Sequence, residues 1–251
     1  MDLGLSGRTA AVAAASAGLG LAAARALADA GVAVAVCGRD RARIEAAAGA
    51  LGDEAVPIVA DVSTPDGAAA FVEQAIAALG HVDVLVPNAG GPPAGTFATT
   101  PLEAYIPALE LNLLSTVAMC QTAVPAMAER GWGRVVAITS ASVRQPIPTL
   151  ILSNTARAGA TGFLKTLALE VAPRGVTVNS VQPGIHATAR FRQLHGNDPD
   201  DVAAVADNIP ARTVGRPEDF GEVVAFLCSD SARFITGAAL PVDGGASRGL
   251  Q

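Results

Sequence analysis

Short apolar runs and longer amphipathic stretches alternate along the whole chain. Runs such as residues 10–15, 32–37 and 135–138 are continuously apolar and form all or most of a predicted strand. The stretches between them carry apolar residues at three- and four-residue spacing, which predicts amphipathic helices. Strands buried on both faces and joined by helices are typical of a parallel sheet with right-handed crossovers. The pattern therefore predicts an α/β Rossmann-like, doubly wound parallel sheet of about seven strands, with helices on both faces.

The predicted elements follow one another without a linker. Strands are predicted at residues 9–15, 32–37, 56–60, 82–86, 133–139, 176–181 and 239–242. Helices are predicted at residues 19–30, 41–51, 65–79, 102–130, 150–172 and 217–229. Within the fourth helix, Pro107 and Pro125 are expected to bend or divide it. We expect a single domain over residues 1–251, with a polar and poorly patterned loop at about 188–210.

Composition narrows the classes of protein that fit this pattern. The chain has 251 residues, of which 51% are hydrophobic and 16% charged, and its mean hydropathy is +0.40. Because no apolar run reaches about 18 residues, we expect no membrane span and attribute the apolarity to a covered sheet and subunit contacts. The net charge of -6 argues against a nucleic-acid partner. Since the amino terminus lacks the pattern of a signal peptide, a cytoplasmic protein is expected.

The residues that commonly bind metals are scattered. Cys37, Cys120 and Cys228 stand far apart in apolar surroundings, and the three histidines lack the spacing of metal ligands. We therefore expect buried free thiols and no metal site.

A glycine-containing turn follows the first predicted strand and opens the first helix. It contains Ser16, Gly18, Leu19 and Gly20. Glycines there let the backbone approach a pyrophosphate, and the amino end of a helix favours negative charge. The same turn also occurs where glycine only packs a helix on a strand, so the turn alone leaves both interpretations open.

A basic residue follows the second predicted strand. An acidic residue at this strand end would accept hydrogen bonds from an adenosine ribose and select NAD. The chain has Gly38 and Arg39 instead, and a guanidinium suits a 2'-phosphate. This favours NADP over NAD, although a solvated arginine beginning a helix is the alternative.

Short motifs also follow the later strands. They are Asp61-Val62, Asn88-Ala89-Gly90 and Pro183-Gly184-Ile185-His186-Ala187-Thr188. Their order and spacing resemble those of the short-chain dehydrogenase/reductase family, and in particular its 3-oxoacyl-acyl-carrier-protein reductases. The resemblance runs from about residue 5 to 245 and includes the closing Val242-Asp243-Gly244-Gly245. It implies a Rossmann-like fold and a nicotinamide cofactor, NADP or NAD.

The resemblance also implies roles for these motifs. Asp61 and Val62 would contact the adenine ring, although a helix cap is the usual role of an isolated aspartate there. Asn88, Ala89 and Gly90 would line the cofactor cleft, and Pro183, Gly184 and Thr188 would hold the nicotinamide carboxamide. Relatives are commonly homotetramers that pair their long helices, so a homotetramer is expected, with a homodimer as the alternative.

In the catalytic half, two residues match the family and two do not. Asn112 matches an asparagine that helps to hold a proton-relay water. Ser140 matches the serine that orients the substrate oxygen, with Ser142 as a competitor for that role. The family's tyrosine and lysine are replaced here by Ser153 and Arg157.

These replacements remove the family's proton donor. A serine hydroxyl is a much weaker acid than a phenol and is shorter by a ring, which leaves a gap that a water held by Ser153 and Ser140 could fill. Arg157 keeps the positive charge and is expected to bind ribose hydroxyls or an oxyanion, but it stays protonated and relays protons poorly. His186, in the carboxamide loop, is an alternative acid.

Further departures lie in the cofactor half and the substrate loop. Ala13-Ala14 replaces the Thr-Gly pair that normally precedes the glycine turn. Arg144 either meets an anionic substrate group or is solvated. The loop at about 188–210, which contains His195, is either a mobile lid or a solvated surface loop.

Three functions remain open on this sequence. The first is hydride transfer between nicotinamide and a carbonyl or alcohol, with a non-standard proton donor. The second is cofactor binding without turnover, as a sensor or partner subunit. The third is a non-redox lyase or isomerase that uses the same cleft, with Arg157 stabilising an enolate.

Overall fold

A single seven-stranded parallel sheet forms the centre of the molecule. The computed structural model describes residues 2–189, 191–192 and 198–249. The strands are β1 (Thr9–Val12), β2 (Ala33–Gly38), β3 (Val56–Val59), β4 (Val84–Val86), β5 (Gly133–Ile138), β6 (Val176–Pro183) and β7 (Ala239–Val242). The described helices are α1 (Gly18–Asp29), α2 (Arg41–Leu51), α3 (Pro65–Leu79), α4 (Tyr105–Leu109), α5 (Ser115–Arg130), α6 (Ile151–Val171), α7 (Pro199–Ala206) and α8 (Pro217–Cys228). The predicted α/β class and strand number are confirmed.

The order of the strands places a crevice between β1 and β4. Across the sheet the order is β3-β2-β1-β4-β5-β6-β7. The chain therefore builds outwards from β1 in one direction and then from β4 in the other. Strand β1 pairs with both β2 and β4, and Val12 lies opposite Val86 at their carboxyl ends. Ligands of doubly wound sheets bind at such a switch point.

Two apolar cores cover the two faces of the sheet. On one face, α3, α5 and α6 bury residues such as Phe71, Met119 and Leu164. On the other face, α1, α2 and α8 bury residues such as Leu27, Ile44 and Phe220. Burial on both faces explains why strands such as β2 and β4 are almost continuously apolar in sequence. Cys37, Cys120 and Cys228 are buried free thiols, as predicted, and burial raises the pKa of each to about 12.

The long helical region 102–130 is divided, but not at its prolines. A 3₁₀ turn (Leu102–Ala104) and α4 are followed by a π-helical turn, Glu110–Leu114, and then by α5, which contains Pro125. Such π turns inside helices occur frequently at functional sites, and this one contains Asn112. The sequence pattern placed the division at the prolines because a proline is a recognisable helix breaker and a π turn is not.

The same region is apolar on average over much of its length. The stretch Leu102–Arg130 is long and apolar enough to cross a membrane by length and composition, with a hydropathy of 1.2 over its most apolar window. Half of that window is buried inside the protein, as in the core helix of a globular fold. One such helix is weak evidence for a membrane span, because core helices pass the same test.

The segment expected to be unpatterned contains helix α7. Asp198 caps it by accepting a hydrogen bond from the Asp200 amide at 2.9 Å. An aspartate followed by a proline at the first helical position is an ordinary helix start, which the sequence analysis missed. Arg190 and His195 lie outside the described residues.

Candidate cofactor and catalytic site

The backbone after β1 is tied to the backbone after β4. The Ala13 amide donates to the carbonyl of Val86 at 3.1 Å. The Asn88 side chain donates to the carbonyls of Ala13 and Ala14, at 3.2 and 3.3 Å. These bonds fix the two strand ends that border the crevice. Asn88 is therefore a structural residue of the cleft wall.

Close packing at the same point requires a glycine at the start of α1. A Cβ added to Gly20 would lie 2.6 Å from the Ala14 carbonyl oxygen and 2.7 Å from Asn88 Nδ2. Any side chain at this position would push the turn away from the strand ends. The glycine thus serves helix–strand packing, which was one of the two interpretations of this turn.

Ala14 adopts a conformation that suits glycine. Its φ angle is +47°, in the left-handed region that costs L-residues with a Cβ about 1 kcal/mol or more. Its amide donates to the Cys37 sulfur at 3.4 Å, which holds the strained residue in place. The replacement of the family's glycine by Ala14 therefore lowers stability, while the turn keeps its shape.

The amino end of α1 offers free main-chain donors. Ala17 stands at its N-cap and supplies no side-chain hydrogen bond. The first amides of the helix, from Gly18 to Gly20, are thus left for a ligand, and the helix dipole favours an anion there. Thr188, from the carboxamide loop, lies across the turn, with its methyl group 3.7 Å from the position of a Cβ on Gly18.

The end of β2 lies beside the glycine turn. A Cβ on Gly38 would be 3.1 Å from Ser16 Cβ, so the absence of a side chain makes room for Ser16. Arg39 follows on the surface and has no hydrogen bond or ion pair with another described residue. The exposed Arg39 thus directly follows the residue that packs against Ser16. The side chains present fit a pyrophosphate at α1 and a 2'-phosphate at Arg39.

Asp61 is not the cap of the following helix. Its carboxylate accepts from the Ser63 amide at 3.0 Å, whereas Thr64 caps α3 through the Gly67 amide at 3.2 Å. The alternative of a helix cap is therefore wrong, and the exposed carboxylate remains available at the carboxyl edge of β3. Val62, beside it, is buried in the core under α3.

Asn112 and Arg157 donate to the same carbonyl. Asn112 Nδ2 lies 2.9 Å from the oxygen of Gly90, and Arg157 Nη2 lies 3.4 Å from it. The other amide atom of Asn112, Oδ1, is buried without a partner among the described residues. It is therefore an acceptor that a bound water could satisfy.

Arg157 is buried and uses its guanidinium on the backbone. Nη1 donates to the carbonyls of Ile138 and Thr139, both at 3.1 Å, and Nη2 donates to Ala89 at 3.3 Å besides Gly90. Burial lowers the pKa of Arg157 to about 10, so the group remains a cation at neutral pH. The structure places these donors on carbonyls and not in the open cleft, where the sequence analysis expected them to meet ribose.

The two serines that compete for the catalytic role differ in exposure. Ser140 is half-buried, and its oxygen accepts from the Ser142 amide at 3.1 Å, which leaves its own proton free to be donated. Ser142 is only 1% exposed. The geometry therefore favours Ser140 for contact with a ligand. Ser153 lies in the first turn of α6, is 7% exposed, and has no side-chain partner in the described part of the chain.

His186 is packed away from these serines. Its ring makes an edge contact with Phe220, with centroids 5.2 Å apart, and its Nδ1 lies 3.2 Å from the Gly184 carbonyl. Burial lowers its pKa, despite opposing effects from the Gly184 carbonyl and Asp219. A neutral, enclosed imidazole is a poor acid for the cleft. In the remainder of the loop, Pro183 ends β6 and Thr188 lies near Gly18 at the start of α1.

Two other basic residues, Arg144 and Lys165, donate to groups outside the candidate catalytic set of Asn112, Ser140, Ser153 and Arg157. Arg144 donates to Gln182 Oε1 at 2.7 Å and to the Ala239 carbonyl, so it is neither simply solvated nor free for a substrate anion. Lys165 is exposed and donates to the Gly237 carbonyl at 3.0 Å. Neither replaces the missing lysine.

Sequence reasoning missed the shared acceptor at Gly90. A main-chain carbonyl carries no residue signature, so nothing in the pattern indicated that Arg157 would bond there. The Arg144–Gln182 pair also lacked a clear signal, because Gln182 is one of several polar residues in β6.

Known proteins share the sequence pattern and fold of this chain. Residues 13–247 match a family model described as Enoyl-(Acyl carrier protein) reductase. Dehydrogenase/reductase SDR family member 4 from Bos taurus is 32% identical over 212 residues, 83% of this chain and 76% of that protein. The crystal structure of L-sorbose reductase from Gluconobacter frateurii, complexed with NADPH and L-sorbose, has a TM-score of 0.93 and 32% identity, with all of both chains covered. A short-chain oxidoreductase from Pseudomonas aeruginosa PAO1 that contains an atypical catalytic center has a TM-score of 0.91 and 32% identity, covering 98% of this chain and 100% of that one.

Proposed function

The chain belongs to the short-chain dehydrogenase/reductase family, and from that premise we propose an NAD(P)-dependent oxidoreductase whose proton does not come from a tyrosine. Its substrate is a small molecule with a carbonyl or alcohol group, or a related reducible group. The cofactor supplies or accepts the hydride.

One observation carries this proposal: groups that suit a dinucleotide border the crevice, while Ser153 stands in place of the family's tyrosine. The uncapped end of α1, the Thr188 contact at Gly18 and the free Arg39 together fit a phosphorylated dinucleotide. Arg39 favours NADP, as the NADPH-bound sorbose reductase of similar fold also suggests. Ser153 stands in α6 where relatives carry tyrosine.

The residues of the chain divide the work as follows. Ser140 donates a hydrogen bond to the reacting oxygen of the substrate and orients it. Arg157 holds the loop after β4 against the end of β5, and its buried charge stabilises negative charge that develops nearby. Asn112 holds a water through its unpartnered Oδ1.

Water is the proposed source of the proton. It would occupy the space beside Ser153, hydrogen-bonded to Ser153 and Ser140, and deliver a proton as charge develops on the substrate oxygen. The hydroxide left behind would take up a proton from bulk solvent through the water proposed at Asn112. His186 is not proposed for this role, because its ring faces Phe220 and the Gly184 carbonyl. The Pseudomonas oxidoreductase with an atypical catalytic center supports the idea that such a fold operates with other residues.

Because the standard acid is missing, alkenes conjugated with a carbonyl also belong among the substrates to be tested. When hydride adds to an alkene conjugated with a carbonyl, the product is an enolate, which needs oxyanion stabilisation and takes up its proton on carbon afterwards. A site with hydroxyls, a buried cation and no strong acid suits this reaction as well as reduction of a reactive ketone.

The test is consumption of NADPH with a panel of ketones, aldehydes and activated alkenes. We expect turnover with at least one class, lost in Ser140→Ala and retained in Ser142→Ala as the matched control. Tight NADPH binding without turnover anywhere would favour the second candidate, a sensor or partner subunit, which the loss of tyrosine supports. Conversion of substrate without net change of nicotinamide would favour a lyase or isomerase.

Assembly as a homotetramer, or a homodimer, remains part of the proposal. Large apolar side chains are exposed along the divided helical region, among them Leu102 at 80% and Ile106 at 61%, and Phe234 is fully exposed near β7. Such surfaces are typical of subunit contacts. Light scattering that gives a monomer would contradict it. The proposed location is the cytoplasm, since three free thiols suit a reducing compartment.

A further inference from the structure

A second cavity lies beside the proposed catalytic site. It has a volume of ≈ 460 Å³, within the range of about 300–1,000 Å³ typical of small-molecule pockets. Most of its lining side chains are apolar, with hydroxyl groups and one carboxylate among them. The lining residues are Ser63, Thr64, Pro92, Pro93, Ala94, Thr99, Thr100, Pro101, Ala104, Pro107, Ala108, Glu110, Leu111 and Leu152.

The walls of the cavity are held in place before any ligand binds. Four of the lining residues are prolines, whose φ angles are fixed by their rings. The loop that forms one wall is pinned at Gly95, whose amide donates to the Thr149 carbonyl at 2.8 Å and whose carbonyl accepts from the Ile151 amide at 3.2 Å. When a ligand binds a preformed pocket, little free energy is spent on ordering the walls of the pocket.

The charge of the lining residues limits which ligands can bind in the cavity. Glu110 is the only ionisable side chain among the lining residues. It is half-buried and forms no ion pair within the described part of the chain. A carboxylate without a counter-ion in a largely apolar wall repels an anion and tolerates a neutral or cationic group.

The cavity shares its elements with the catalytic site. Leu111 precedes Asn112 in the π turn, and Leu152 precedes Ser153 in α6. The neighbouring side chains on each element therefore serve the two sites. None of the roles proposed for nicotinamide or for the reacting oxygen uses this cavity.

We propose that this cavity binds an apolar group that carries no negative charge. The group is either the tail of the substrate or a separate small molecule, and the two sources share this chemistry. Only the first source rests on the proposed function, since the binding itself requires no turnover.

Two fluorescent probes with one aromatic skeleton test the binding. N-phenyl-1-naphthylamine is neutral, and 8-anilinonaphthalene-1-sulfonate carries a negative charge. We expect the wild-type protein to bind the neutral probe at least about tenfold more tightly, and Glu110→Gln to reduce this preference. Ala104→Leu, which fills the cavity, should weaken binding of the neutral probe about tenfold or more. Ala50→Leu, at an exposed position of helix α2, should leave this binding unchanged.

Ala94→Leu fills the cavity from the opposite loop and replaces Ala104→Leu if that variant does not fold. Equal affinity for the two probes, or unchanged binding in a folded variant with a filled cavity, would overturn the proposal. Binding that appears only after the protein is dissociated into monomers would also overturn it, because a second copy of the chain would then occupy the cavity.

Substrates of increasing apolar tail length distinguish the two sources. If the tail occupies the cavity, lengthening it lowers KM in the wild type and not in Ala104→Leu, and the neutral probe competes with substrate. If a separate molecule binds, tail length has no such effect and the probe does not compete. Should no substrate turn over, the proposed function fails while the probe titration still decides the binding.

Discussion

Arg157 Nη1 donates to the main-chain carbonyl of Thr139 at 3.1 Å, so helix α6 is bonded to the residue that precedes Ser140. A lysine at this position would present one ammonium group, whereas the guanidinium reaches four carbonyls at the ends of two neighbouring segments. In this chain the basic residue of α6 is thus primarily a positioning residue for the catalytic cluster.

Arg157→Lys is expected to lower the free energy of unfolding by about 2–4 kcal/mol, because several buried carbonyls lose their donors. Urea denaturation followed by the fluorescence of Trp132 measures it. Trp132 is the only tryptophan in the chain and stacks between the guanidinium groups of Arg8 and Arg134, at 3.9 and 4.2 Å. A variant as stable as the wild type would show that these bonds contribute nothing net.

Ala14→Gly is expected to stabilise the protein by about 0.5–1 kcal/mol, because glycine adopts the positive φ angle without strain. Ala15→Gly is the matched control. Ala15 is fully buried with ordinary φ, so glycine there should destabilise by about 1 kcal/mol. Equal destabilisation in both variants, measured by urea denaturation, would contradict the strain at Ala14.

His186 is expected to make stability depend on pH. Burial lowers its pKa below the ordinary 6.5, so below that pH the unfolded chain binds a proton that the folded protein does not. The free energy of unfolding therefore falls as pH drops from 6.5, and His186→Gln should reduce this slope. Denaturation at pH 7.5, 6.5 and 5.5 measures it. Because His186 is not proposed as the acid, the pH profile of turnover should be unchanged in the variant.

Arg39→Gln is expected to weaken NADPH binding about tenfold or more and to leave NADH binding nearly unchanged, since the guanidinium would contact only the 2'-phosphate. Fluorescence titration of both cofactors measures it. Arg41→Gln is the control, because Arg41 is exposed and already paired with Glu45 at 3.2 Å. An equal loss of affinity for NADPH and NADH would show that Arg39 acts through general electrostatic attraction and not through the 2'-phosphate.

The sequence predicted the fold closely, because strands buried on both faces leave a continuous apolar pattern and their helices leave an amphipathic one. Helices α2 and α3 begin and end at the predicted residues. The candidate site could be predicted only as a set of positions. The left-handed Ala14, the π turn at Asn112 and the carbonyls that bind Arg157 are properties of the backbone, which side-chain patterns do not encode.

The most direct test of the account is ketone reduction by the double variant Ser153→Tyr/Arg157→Lys, compared with the wild type and with its NADPH affinity measured alongside. If the cofactor side of the cleft is complete and only the acid is missing, the variant should gain ketone reduction severalfold or more while its NADPH affinity stays close to that of the wild type. A folded variant that binds NADPH and gains no ketone reduction would contradict the account.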